Sequence, residues 1–359
     1  MKKYGWYFTV ILLMSCTDKS PESVLLDDIP FLELEEVFSV EETEDFFVSM
    51  PVEIQLDHEG FIYMIDAGPQ QIIVFNPDGS VEAKIGRSGS GPGEFTQINN
   101  LNIGIDGKLY VYDGRARTMS VFSNRQDGFQ FLTSSTIPLP TARFPLMARA
   151  NDRGEILLQY TTFQLPGEES TEVNDSVYLF PVGAESPGEP LLEVRRMEMV
   201  LIDVNGNMAN LMRPYGGTTH IKPGPNGTFY VTWSLESMIY QYDNNGNRID
   251  SLGVDMPRLP VTEEDRANYR GSSSPIAQGL ASHLPDMKAI TNEFFVSING
   301  EIWQWYGNRG DGTWILYNSE GVPVHRVIAP EGFRLTQATD QIVYGVNFSE
   351  AQVKGFRFR

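Results

Sequence analysis

The chain of 359 residues is short of several things, and each shortage closes a class of function. It holds one cysteine, which excludes an intrachain disulfide framework and a cysteine-based zinc cluster. Four histidines leave little for a multi-histidine metal centre. Positive charge is scarce: 27 Lys+Arg against 47 Asp+Glu give a formal charge of −20. A surface this acidic is repelled by phosphate backbones, so nucleic acid is not expected as a partner. The opening apolar stretch, Tyr4 to Met14, is too short to span a bilayer, and no other segment is long enough. Turn formers are plentiful, with 33 Gly and 22 Pro, and 41% hydrophobic residues suffice for one large domain or two ordinary ones.

The lone cysteine has a telling position. Lys2 and Lys3 precede the apolar stretch, which ends in Leu13-Met14-Ser15-Cys16. A basic start, a short apolar run and a small residue before the junction read as a secretory signal over residues 1–15. The tetrad resembles the bacterial lipobox, which implies acylation of Cys16 after cleavage. Residues 16–30 then hold the lipidated cysteine and a tether. Thr17, not Asp, follows the cysteine, which by the same resemblance favours the outer membrane of a bacterial envelope, facing either side.

A repeat governs the remainder. Ile54 to Asp66 superimposes on Leu101 to Asp113, each a strand, a turn ending in Gly60 or Gly107, and a second strand. Both run into an apolar strand, Ile72 to Phe75 or Met119 to Phe122, and then an Asp-Gly turn. The frame recurs at Gly154, Gly227 and Gly300, and at Asp340 in the glycine place. The intervals are 47, 47, 73, 73 and 40 residues, so two connections carry insertions. Six units of four short strands predict an all-β fold: a six-bladed β-propeller of four-stranded antiparallel blades over residues 31–359. The last unit ends after its third strand, and the unassigned segment from Phe31 to Phe38 is predicted to complete it and close the ring.

Between residues 85 and 122 the pattern becomes specific. Ile85-Gly-Arg-Ser-Gly-Ser-Gly-Pro-Gly-Glu-Phe95, the strand pair ending in Asp113, and Met119-Ser-Val-Phe122 resemble an NHL repeat. Pro51 and Pro145, nine residues before their glycines, stand where NHL blades place proline. Together with the lipobox, the chain is similar to bacterial six-bladed NHL-like propeller lipoproteins. The glycines at 86, 89, 91 and 93 do not form a nucleotide loop, because Pro92 interrupts them and strands, not a helix, follow. They read as an interblade turn.

The first strand of a blade lines the central channel, so its alternation marks candidate ligand residues. Glu53, Asn100, Arg149, His220 and Glu293 fall on the polar side. Arg87 from the glycine-rich junction, and Arg213 and Tyr215 before the fourth blade, are expected on the same mouth. Residues 254–291 hold a capped helix start at Thr262 and a second short helix, expected as a lid over that mouth. Gly167 to Ser176 reads as a solvated acidic loop. Some NHL-like propellers are zinc-dependent lyases with several histidines; here only His220 is well placed, so no cofactor is expected, a divalent ion being the open alternative. No catalytic triad can be assembled. The expected function is a non-catalytic, envelope-anchored binding module for a small anionic or glycan-like ligand or an envelope protein. The alternative is a propeller lyase or hydrolase using the mouth carboxylates and His220, with or without a metal ion.

Overall fold

A computed structural model describes residues 24–40, 47–139, 143–162, 174–204, 206–307 and 312–358. The leader, Cys16, and the acidic loop through residue 173 lie outside these. The described residues form an all-β, six-bladed propeller of four-stranded antiparallel blades. The inner strands are Pro51–Leu56, Ile98–Ile103, Arg143–Ala150, Thr219–Pro223, Phe294–Val296 and Arg334–Ala338, and neighbouring inner strands touch around the ring.

Local chemistry explains the repeated frame. Gly60, Gly107, Gly154, Gly227 and Gly300 all take φ between +73 and +86°, a region that costs a side chain energy, at the turn joining the first two strands. In blade 6 Asp340 holds that place, and Thr339 closes the turn with its amide donating to the Ile342 carbonyl at 2.8 Å. The aspartate ending the second strand has a separate task. Asp66 accepts from the Met50 amide at 2.7 Å, and Asp113 from the Thr96 amide at 2.5 Å, fixing the chain as it enters each inner strand. Ile54, Leu101, Ala148, Ile221 and Phe294, the apolar side of the inner strands, are buried between blades. Burial of such side chains is the main stabilising term of the ring.

The glycine-rich junction is the interblade turn the sequence implied. Phe95 is fully buried, its amide donates to the Arg87 carbonyl at 2.9 Å, and a Cβ on Gly86 would stand 2.3 Å from its ring.

Closure is achieved by the N-terminal segment. Leu34–Ser39 pairs antiparallel with Gln352–Phe358 as the outermost strand of blade 6. Phe31–Leu32 pairs parallel to Pro323–Ile328 as a fifth strand of blade 5. One short segment thus staples two blades. Two features lie outside the blades. A hairpin, Met199–Val204 with Asn207–Met212, fills the connection between blades 3 and 4. Helix α1 (Glu263–Arg270), with the Thr262–Asp265 capping box, and helix α2 (Pro275–Leu280) fill that between blades 4 and 5. α2 packs on the hairpin.

Candidate functional site

The inner strands all begin on one face, and the side chains gathered there are charged in pairs. From blade 1, Glu53 receives Arg149 of blade 3 in a two-pronged ion pair, Nη1 to Oε1 at 2.6 Å and Nη2 to Oε2 at 3.1 Å. The pair skips blade 2 and so crosses the channel. Burial alone would raise the Glu53 pKa, but Arg149, with help from Lys222 and a 2.9 Å hydrogen bond from Gln55, brings it below the ordinary carboxylate value. A second pair, Glu293 with Arg334, lies nearer solvent: Arg334 Nε donates to both carboxylate oxygens, at 2.7 and 2.8 Å, and Nη2 adds a third contact. Gln337 of blade 6 donates to Gln55 at 3.1 Å, and Asn100 donates to the Ala148 carbonyl at 2.8 Å, tying inner strands together.

Between the two pairs lies Lys222. It feels Arg149, Glu53, Glu293 and Arg334, yet none of its hydrogen bonds or ion pairs is formed among the described residues. Burial and then the Arg149 charge lower its pKa to about 8. His220, two residues earlier on the same strand, is likewise without a partner; burial and then Lys222 push its pKa down to about 4. It is a neutral imidazole at pH 7.

Lys222 and His220 open into a cavity of about 700 Å³ at the mouth of blades 4 to 6. Trp305, Phe333 and Phe348 are its accessible rings, with Phe294 and Trp314 buried behind them. Trp305 and Trp314 meet edge to face at 5.3 Å, and Arg334 lies over Phe348 at 6.0 Å. Glu331 stands at the outer lip, exposed to solvent, where screening weakens its field. The cavity therefore combines aromatic rings with a cation that has no partner among the described residues.

The expected residues divide accordingly. His220 and Glu293 line the cavity, Glu53 and Arg149 pair with each other outside its lining and act on it through Lys222, and Asn100 serves as a strand tie. Arg87 does not: its side chain is 79% exposed and bound to Glu94 of its own loop at 2.7 Å. Arg213 and Tyr215 serve the insertions instead. Arg213 donates to the His283 carbonyl at 2.9 Å and pairs with Glu198, while the Tyr215 hydroxyl donates to Asp265 at 3.1 Å. Lys288 completes that knot on Asp265 at 2.7 Å. No residue of 254–291 lines the cavity among the described residues.

Lys222 and Arg334 were the omissions. Lys222 shared the polar side of its strand with His220 and was legible there. Arg334 was hidden because blade 6 lacks the glycine and a bulge between Leu335 and Gln337 shifts its register. Among the described residues, no three His, Cys, Asp or Glu side chains come together to hold a metal ion.

Comparison with known proteins supports the architecture. The family model DUF5128, described as a 6-bladed beta-propeller, matches residues 10–163. A crystal structure of an exported-protein candidate from Bacteroides fragilis is 14% identical with a TM-score of 0.55, covering 94% of this chain and 96% of its own. A DUF4221-family member from Bacteroides vulgatus is 10% identical with a TM-score of 0.56, covering 92% and 98%. A virginiamycin B lyase from Staphylococcus aureus is 11% identical, covering 91% and 99%, with a TM-score of only 0.47. No curated protein matches in sequence. At such identities these likenesses speak to fold alone.

Proposed function

We propose that the protein is an envelope-anchored propeller that binds a small anionic, glycan-like ligand at the mouth of blades 4 to 6 without transforming it. The observation that carries this reading is Lys222, a cation without a partner among the described residues that lines a cavity rich in aromatic rings. A half-buried charge with no partner among the described residues is costly, and a carboxylate or sulfate entering the cavity would supply one. Flat aromatic faces suit the apolar C–H face of a sugar ring, with the charge directed to the lysine. The leader of residues 1–15, followed by Cys16, supports export and lipid anchoring, and Thr17 supports the outer membrane.

The lyase or hydrolase reading loses its acid and base. Arg149 holds Glu53 in a two-pronged pair that favours its ionised form, and Glu293 is engaged by three contacts from Arg334, so neither carboxylate is free to shuttle a proton. His220 is neutral and weakly basic.

Isothermal titration with glucuronate and glucose provides the test. Glucuronate should bind at least about tenfold more tightly than glucose, because a charge-assisted contact is worth more than a neutral one. Lys222→Gln should abolish the difference, and Arg87→Ala should leave it unchanged. Anion binding that survives Lys222→Gln would remove the basis for the site.

A further inference from the structure

The hairpin between blades 3 and 4 has an inverted surface. Its register pairs Met199 with Met212, Leu201 with Asn210 and Asp203 with Met208, which places these six side chains on one face. The opposite face is covered: Ile202 is buried, and its side chain would lie 2.9 Å from a Cβ on Gly279 of α2. The first face is open, with Leu201 39%, Met208 52% and Met212 54% exposed. An antiparallel ribbon ordinarily keeps its open face polar. Here four of its six residues are apolar, and the whole hairpin carries no Lys or Arg and a single acid, Asp203.

The chain's own route says what covers it. Val24 accepts a hydrogen bond from the Asp255 amide at 3.3 Å, and Leu25 bridges to Asp255. Asp255 is at the root of the insertion whose α2 carries the hairpin. Cys16 is eight residues before Val24, and a chain of that length reaches at most about 29 Å. A lipid on Cys16 would therefore lie within that reach of Val24, which is joined to the root of the insertion that carries the hairpin. We propose that the open Met/Leu face of the hairpin rests in the interfacial region of the membrane in which Cys16 is anchored, turning the mouth of the propeller toward the lipid. This rests on the anchoring read from the leader. An apolar surface with almost no charge fits a neutral lipid interface, and it supplies the additional contact by which an acylated protein fixes its orientation.

The full acylated chain in phosphatidylcholine vesicles, followed by hydrogen exchange, tests this, with palmitate label measured on the same sample. Residues 199–212 should exchange roughly tenfold more slowly on vesicles than in the soluble Cys16→Ser protein, while the far-face turns at 57–61 and 76–80 should not change. The Leu201→Ser, Met208→Ser, Met212→Ser variant should lose that protection and keep the label and the far-face pattern; Leu201→Glu should do the same. Labelled protein without hairpin protection overturns the docking while leaving the anchor. Unlabelled protein overturns both, since the tether argument then fails. Protection that appears in the soluble protein with rising concentration assigns the face to a second copy and also overturns the proposal.

Discussion

Lys222 shows what a single residue contributes and costs. Its pKa falls from 10.5 to about 8 because the folded protein disfavours its charge. A displacement of that size corresponds to roughly 3 kcal/mol against the folded state whenever both states are protonated. Below pH 8 the full penalty applies. Between pH 8 and 10.5 the unfolded chain binds the extra proton, so stability recovers as pH rises. Lys222→Met should therefore raise stability by about 1–3 kcal/mol at pH 7, and the gain should shrink toward pH 10; urea midpoints of the two proteins at both pH values measure it. An equal gain at both pH values would mean that packing, and not charge, sets the cost. Arg149 behaves in the opposite sense. Its side chain is 12% exposed and that of Glu53 14%, so Arg149→Ala strands a carboxylate and should cost roughly 3 kcal/mol. Adding Glu53→Gln should restore most of the loss, and chemical denaturation of the single and double variants separates the two.

At the level of elements, closure is the most exposed point of the design. Leu34–Ser39, extended by the Val40 amide on the Val353 carbonyl, covers the Gln352–Phe358 edge, with Phe38 packed edge to face on Tyr344 at 5.6 Å. Deleting residues 27–45 should leave that edge open, lower the melting temperature by roughly 10 °C, and produce oligomers in size-exclusion chromatography. A monomer melting like the parent would show that the ring closes by other means. This staple was readable because the last unit stops one strand short while Phe31 to Phe38 has no unit of its own. The blades were readable because glycine at φ near +80° cannot be replaced cheaply and so recurs in register. The 199–212 hairpin was hidden for the converse reason: it occurs once, and a repeat search passes over what does not repeat. Asn205-Gly206 between two apolar runs was the available signal. The site was half legible. Alternation places Glu53, Arg149, His220 and Glu293 at the mouth, but which carboxylate takes which arginine depends on a contact across the channel that no linear spacing encodes. Arg87 was misjudged because its junction reaches the right face while Glu94, seven residues on, holds its guanidinium.

For the whole molecule, the long-range field and the local site have opposite signs. The chain carries −20, whereas the cavity holds Lys222 between two neutralised pairs. An approaching anion is repelled by the net charge within about a Debye length of the surface, about 10 Å at 0.1 M salt, and attracted only once inside the cavity. Raising ionic strength screens the distant repulsion strongly and the contact in the cavity little. The association rate of glucuronate should therefore increase, by about two- to threefold between 10 and 150 mM salt, with a much smaller change in its dissociation rate. Lys222→Gln should do the reverse, accelerating dissociation while preserving the salt dependence of association, because it removes the short-range partner and adds only one unit to a net charge already near −20. Stopped-flow titration over a salt series distinguishes the two effects. An association rate that falls with salt would mean that a basic surface steers the ligand, and would place its first contact somewhere other than this mouth.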